Sequence, residues 1–391
     1  MLTLRTGARA QEKVPSAAGQ GLGLFKLRKD KNLINTIAKS PGEILPALKV
    51  FYDLRLPVFL WGGPGIGKSD LVHEFAREQR MELIDQRLTT LDSVDLRGLP
   101  WIDTQKGLTR WYRPEFLPAE NCPGIILLDE LTAAEPRLQA ASYELVLDRR
   151  VGPHELPSDW WVVGAGNRPE DGAICYAMGT ALADRFCHIL VEANAKDWID
   201  WGLQHEIHPS VITFIKIHPD YLNSNQGQEE TDQLIRPSPR SWERVSHLVK
   251  KTTDPKVRSI GVAGLVGEAA AIQYQACCEE LEGLPPIEDL LLMKVPAAVR
   301  RVPKRLSALY GLAYSLVSYA NEPETFRAAG ALLDGLAKVR DELPRQEIRS
   351  FAMELLLGKA TKLGFLEELA ATPELARYLE AYEEAENEAV K

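Results

Sequence analysis

Val58-Phe59-Leu60-Trp61 runs into Gly62-Gly63-Pro64-Gly65-Ile66-Gly67-Lys68-Ser69, and Asp70-Leu71-Val72-His73-Glu74-Phe75 follows. An apolar stretch of strand character enters a glycine-rich turn, which opens an amphipathic segment of helical spacing. This is the G-x-x-x-x-G-K-[ST] phosphate loop in the context it requires, strand before and helix after. Its glycines let backbone N–H groups turn inward around the β- and γ-phosphates, and the helix N-terminus adds positive potential. Lys68 is placed to neutralise phosphate charge and Ser69 to offer its hydroxyl to Mg²⁺. Gly62, Gly63, Pro64, Gly65, Ile66, Gly67, Lys68, Ser69 and Asp70 are the candidate nucleotide-binding residues. The stretch predicts a protein that binds a nucleoside triphosphate.

About sixty residues downstream stands Gly124-Ile125-Ile126-Leu127-Leu128-Asp129-Glu130. Four consecutive aliphatics predict a fully buried strand of a parallel sheet, with two carboxylates at its C-terminal end, where ligands of such sheets sit. Asp129 is expected to hold Mg²⁺ through water, together with Ser69, and Glu130 to orient or deprotonate the attacking water. A third apolar strand, Trp160 to Gly166, ends in Asn167-Arg168-Pro169. An amide there can hydrogen-bond both the γ-phosphate and the lytic water. Then Ala181-Leu182-Ala183-Asp184-Arg185-Phe186 places an arginine at the end of a short helix, before the strand-like His188-Ile189-Leu190-Val191.

The 391 residues suffice for two or three domains, and 45% hydrophobic with 26% charged residues is ordinary for a soluble globular protein. A net charge of -9 argues against a large nonspecific nucleic-acid surface, though not against a local basic channel. Five cysteines without a C-x-x-C read as reduced thiols in a cytoplasmic protein. The N-terminus has no continuous apolar run of signal-peptide type, and no stretch is long enough to span a membrane. Asn194-Ala195-Lys196-Asp197 has the wrong order for the guanine-recognition Asn-Lys-x-Asp, so ATP is the expected nucleotide.

Residues 1–24 read as a mobile tail, and Lys26 to Lys31 as a short basic cluster at a solvated helix start. A helix is expected through Ile44, Leu45, Leu48, Phe51 and Tyr52, with Pro46 tolerable if it lies in the first turn. Glu82 to Leu88 reads as a strand and Ser93 to Pro100 as a polar turn. Trp101 to Pro118 reads as an exposed loop or hairpin carrying Arg110, Trp111, Tyr112 and Arg113. From Asp197 the chain turns helical, with a break at His208-Pro209, a polar loop from Asn223 to Asp232, and a helix from Ser241 to Lys251. His205 and His208 are three apart and do not make the H-E-x-x-H zinc motif. Further helices are punctuated by Gly283-Leu284-Pro285-Pro286, Pro296, Pro303, Pro323 and Pro344, and the chain ends in an acidic stretch from Glu383 to Glu388.

The ordered series of phosphate loop, Asp129-Glu130, Asn167, Leu-Ala-Asp-Arg-Phe and Pro237-Ser238-Pro239-Arg240-Ser241-Trp242 resembles the AAA+ ATPases, and specifically the MoxR family. Asp95-Leu96-x-Gly98, followed by an insert, is similar to the helix-2-insert branch that MoxR proteins share with magnesium-chelatase ATPase subunits. Gly166-Asn167-Arg168-Pro169-Glu170-Asp171 looks like a MoxR subgroup often accompanied by von Willebrand A-type partners. The resemblance covers about residues 40–320. It implies an α/β fold: a P-loop AAA+ core with a parallel sheet flanked by helices, then a helical lid and an all-helical C-terminal extension. The corresponding domains are a tail at 1–24, the core at 25–195, the lid at 196–256 and the extension at 257–391.

By the same resemblance Lys68 and Ser69 are Walker A, Asp129 and Glu130 Walker B, and Asn167 sensor 1. Arg185 matches the arginine finger that reaches a neighbouring subunit's γ-phosphate, and Arg240 matches sensor 2. Arg168 departs from the commoner pattern by placing a second cation beside Asn167. The implied activity is Mg-ATP hydrolysis by a hexameric ring that remodels a partner protein complex, commonly with a von Willebrand A-type protein, away from membranes and nucleic acid. The rivals are a nucleic-acid motor, a metal-chelatase motor subunit and a non-hydrolysing scaffold. Intact Glu130, Asn167 and Arg185 speak against the last.

Overall fold

The computed structural model describes residues 36–118, 122–171, 173–223 and 234–369, with 372, 376, 378 and 379. The N-terminal tail, the basic cluster, the polar loop beyond Asn223 and the acidic end lie outside the described residues. Ten strands follow in chain order: β1 Ala38–Lys39, β2 Val58–Trp61, β3 Glu82–Arg87, β4 Pro100–Asp103, β5 Leu108–Trp111, β6 Gly124–Asp129, β7 Arg150–Val151, β8 His154–Glu155, β9 Trp160–Gly166 and β10 Cys187–Val191. Six form one sheet in the order β1-β10-β2-β9-β6-β3, every pair parallel. Every residue of β2, β6 and β9 is buried, which is why these strands read as unbroken apolar runs.

Side-chain alternation divides the sheet into two covered faces. Val58, Leu60, Ile125, Leu127, Trp161 and Val163 pack with Ile44, Leu48, Val72 and Phe75 of the helices Pro41–Asp53 and Lys68–Glu78. The phosphate loop leaves the C-terminal end of β2, between β9 and β10, so the ends of β6 and β9 stand beside it. A parallel sheet with crossover helices, followed by helices alone, is the architecture of P-loop AAA+ proteins.

The structure differs from the local expectations in the core at Pro46 and at Ser93 to Arg97. Pro46 is the sixth residue of its helix, not in the first turn. It removes one hydrogen bond to the Gly42 carbonyl, and burial of Ile44, Leu48 and Tyr52 on one face offsets the loss. Ser93 to Arg97 is a short helix and not a plain turn, because Asp92 and Asp95 close a capping box around its start. The segment after it is a hairpin, β4 against β5, with Trp101 stacked on Tyr112 at 5.7 Å.

Beyond β10 come the helices Ala195–Gln204, Pro209–Ile217 and Pro239–Lys251. The last begins two residues before the expected Ser241, capped by Ser238, so Arg240 lies in its first turn. Trp198, Phe214, Trp242 and Tyr274 pack at the centre of this cluster. Helices Leu306–Tyr319, Pro323–Ala337 and Arg345–Leu363 build a further apolar core around Leu312, Leu333 and Leu356.

Candidate functional site at the end of the parallel sheet

Gly65 and Gly67 have φ of 75° and 94°, left-handed values that glycine adopts without a side-chain clash. Their turn delivers Lys68 to the first position of the following helix. Lys68 is buried, and its ammonium donates to the carbonyls of Gly62 at 2.7 Å and Gly63 at 2.9 Å and to Oδ1 of Asn167 at 2.9 Å. Burial pushes its pKa down to about 8, opposed by the attraction of Asp129 and Asp171 and assisted by Arg240 and Arg168. A buried ammonium solvated only by neutral oxygens is a poor resting arrangement and a good anion receptor. The residues therefore fit a phosphate.

Ser69 Oγ donates to Asp129 Oδ2 at 2.8 Å, so both expected Mg²⁺ ligands meet at one point. Asp129 Oδ1 accepts the backbone N–H of Glu130 at 2.8 Å. A hydroxyl beside a buried carboxylate is an oxygen donor set suited to Mg²⁺ with its waters. Glu130 has φ of 56°, an uncommon left-handed value outside glycine. Its carboxylate accepts from Thr89 Oγ1 and faces Arg87 Nε at 3.6 Å. Sequence reasoning missed both partners. Their signal was the strand expected after the phosphate-loop helix: β3 lies beside β6 with Arg87 opposite Asp129, which brings the residues just past its end to Glu130.

Asn167 follows β9, whose Gly166 carbonyl accepts from Gly62 N at 3.3 Å. Thr132 holds the Asn167 backbone, its hydroxyl 3.1 Å from both N and O. With its backbone fixed, the amide stays on Lys68. Arg168 is tied to Asp171, Nη2 to Oδ1 at 2.8 Å, and its charged form is favoured first by that hydrogen bond. The second cation beside Asn167 is thus a paired one.

Arg240 is exposed at the start of its helix, and its backbone N–H donates to the Gly65 carbonyl at 3.2 Å. A Cβ on Gly65 would come within 2.9 Å of Ser238 Oγ, so this helix start rests directly on the phosphate loop. A cavity of about 700 Å³ opens beside the contact. Gly65, Gly67, Asp70, Arg240, Trp201 and Asp197 are among its lining residues. Asp70 is exposed there and lines the cavity together with Gly65 and Gly67. Gly42 N–H donates to Asp197 Oδ2 at 2.8 Å, joining the first core helix to the helix after β10. The cavity is large enough for a nucleoside.

Arg185 stands apart. It precedes β10, whose Cys187 pairs with Val58, the first residue of β2, whereas the phosphate loop leaves the other end of β2. At about 3.3 Å per residue the strand separates Arg185 from Lys68 across the sheet. Its Nη1 donates to the Ala181 carbonyl, and its Nε is buried without a partner among the described residues. Trp61 Nε1 donates to His188 Nδ1 at 2.8 Å, and His188 Nε2 lies 2.7 Å from the Ala183 carbonyl, tying this corner to the end of β2. Arg149 donates to the carbonyls of Pro157, Ser158 and Trp160 and so serves the fold. Among the described residues no group of three or more His, Cys, Asp or Glu could hold a metal ion, and no helix is long and apolar enough to cross a membrane.

No family model matches the chain. A 132-residue stretch is 29% identical to the ATPase family gene 2 protein homolog B of Mus musculus, covering 29% of this chain and only 15% of that protein. Among solved structures, a Thermotoga maritima RuvB mutant aligns at 15% identity over 70% of this chain and 80% of its own, with a TM-score of 0.36. NtrX from Brucella abortus, solved with ATP, aligns at 12% identity over 84% of this chain and 70% of its own, with a TM-score of 0.35. Likenesses this loose carry no argument about activity. What the residues at the end of the sheet can do is read from their own geometry.

Proposed function

We propose that the chain is a Mg-ATP-dependent AAA+ ATPase of MoxR type that works as a hexameric ring and remodels a partner protein complex, with a von Willebrand A-type protein as partner. The observation that carries the ATPase reading is the convergence at the C-terminal end of the sheet of buried Lys68, the Ser69–Asp129 pair, Glu130 and Asn167. When bound, Mg²⁺ and the triphosphate supply the electrophilic phosphorus and its charge neutralisation. Lys68 would exchange its neutral carbonyl partners for phosphate oxygens, and Ser69 and Asp129 would hold the ion. Glu130 would orient the attacking water, for which its carboxylate would have to leave Thr89 and Arg87. Arg185, at the opposite end of the strands from the phosphate loop, supports an action on a neighbour's nucleotide, which would make turnover depend on assembly.

The exposed hairpin bears on the substrate. Ile102 and Leu108 are 73% and 55% exposed, and Trp101, Trp111 and Tyr112 add aromatic surface. Arg110 is engaged by Asp103 at 3.1 Å, so the strands offer more apolar than cationic surface. That balance favours a polypeptide over nucleic acid. The nucleic-acid motor keeps one supporting feature, the aromatic side chains on which bases could stack beside exposed Arg113.

The test begins with turnover. Glu130→Gln is expected to bind ATP and hydrolyse it at least about a hundredfold slower; near-normal turnover removes Glu130 from the water-orienting role. The same variant, held in Mg-ATP and treated with nuclease, is then used for affinity capture from native lysate. ATP-dependent retention of a von Willebrand A-type protein supports the remodelling role. Salt-sensitive binding of single-stranded DNA, with nothing retained after nuclease, supports the motor.

A further inference from the structure

Arg168 and Asp171 form a closed unit next to the phosphate site. The Arg168 backbone N–H donates to Asp171 Oδ2 at 2.8 Å, Nη2 donates to Oδ1 at 2.8 Å, and Nε reaches both oxygens at 3.3 Å. The Asp171 backbone N–H returns a bond to the Arg168 carbonyl at 3.1 Å. The Asp171 side chain is 2% exposed and that of Arg168 is 28% exposed. One carboxylate thus fixes the guanidinium on one side and leaves Nη1 without a hydrogen-bond partner among the described residues.

A turn can be closed by a neutral Asn or Ser at far lower cost than a buried carboxylate with its own cation. The placement gives the charge a use. Arg168 is the residue after Asn167, whose amide holds Lys68, and two after Gly166, whose carbonyl holds Gly62. Lys68 feels the positive charge of both Arg168 and Arg240, and Arg168 feels Glu192, just past the end of β10 on the other side of β2. Arg168 therefore sits next to Asn167, within electrostatic reach of Lys68 and Glu192. On the nucleotide-site reading Asn167 faces the γ-phosphate, which a diphosphate lacks.

We propose that Arg168, aimed by Asp171, is a cation for the terminal phosphate that lets the site distinguish triphosphate from diphosphate. The proposal rests on the nucleotide-site reading above and adds a specificity residue to it. Asp171 is the positioning residue: it acts through Arg168 and is too buried to meet the ligand itself.

The test measures binding of Mg-ATPγS and Mg-ADP by calorimetry on the full-length chain. Arg168→Ala is expected to weaken Mg-ATPγS about tenfold, as for one charge-assisted contact, and Mg-ADP less than twofold. Arg168→Gln keeps a donor for Asp171 without the charge and is expected to match Arg168→Ala, while Arg168→Lys recovers part of the loss. Asp171→Asn is expected to weaken Mg-ATPγS selectively, by less than Arg168→Ala. Equal losses for both nucleotides, or wild-type behaviour of Arg168→Gln, overturn the proposal and leave the pair as a turn closure. If the wild-type chain binds neither nucleotide, the nucleotide-site reading has failed first. Should Arg168→Ala not fold, Arg168→Gln and Arg168→Lys decide the question.

Discussion

The phosphate site and the C-terminal helices are held by opposite means. Around Lys68 the structure accepts a desolvated ammonium, left-handed backbone at Gly65, Gly67 and Glu130, and carboxylates at a strand end. Around Leu312, Leu333 and Leu356 it packs aliphatic side chains that are almost wholly buried. The first arrangement costs stability and gains an anion receptor; the second gains stability and offers no chemistry. Substitutions should therefore separate cleanly, with function lost on one side and stability on the other.

The largest expected effect lies at the opposite end of the strands from the phosphate loop. Arg185→Ala should bind Mg-ATP normally yet turn it over about a thousandfold slower, the range in which arginines stabilise a phosphoryl transition state. Mixing it with Lys68→Ala protein should restore part of the activity, since each supplies what the other lacks. Complete failure to rescue counts against action between subunits and would leave Arg185 to its bond with Ala181.

On the helical side, Leu312→Ala removes a side chain with no exposed surface and should cost about 2–5 kcal/mol in urea unfolding. Nucleotide affinity, measured well below the unfolding transition, should not change. If affinity falls with stability, the two regions are coupled and the contrast breaks.

The same difference explains what could be read from the sequence. Phosphate chemistry admits few residue types at fixed spacing, so Lys68, Ser69, Asp129, Glu130 and Asn167 were all legible, and the structure brings them together. The buried strands were legible because β2, β6 and β9 face protein on both sides and carry no polar alternation. Thr89, Arg87 and Asp171 were not, because an exposed threonine or a paired acid looks like any other until the sheet order sets it beside the site. Pro46 is tolerated past the first turn of its helix because tertiary burial outweighs local propensity. The helical extension could be read only as helices punctuated by prolines, since many apolar combinations fill such a core equally well.

The smallest effect tests the cost of the receptor itself. Lys68 has a folded pKa of about 8 against an ordinary value of 10.5, with burial as the first cause. Between those values the unfolded chain holds this proton and the folded chain does not, so this group makes stability rise with pH across that window; below about 8 its burial penalty is complete. Ligand binding should show the reverse. A phosphate needs the charged lysine, so above pH 8 binding must be accompanied by proton uptake, and affinity should fall by up to about tenfold per pH unit. Calorimetry of Mg-ADP binding in two buffers of different ionisation enthalpy reads this directly. Uptake should approach one proton at pH 9 and fall towards zero at pH 7, and Lys68→Met should abolish it. Uptake that is the same at both pH values would mean that Lys68 is already charged and solvated before the phosphate arrives, and the site would then store no electrostatic cost for the ligand to relieve.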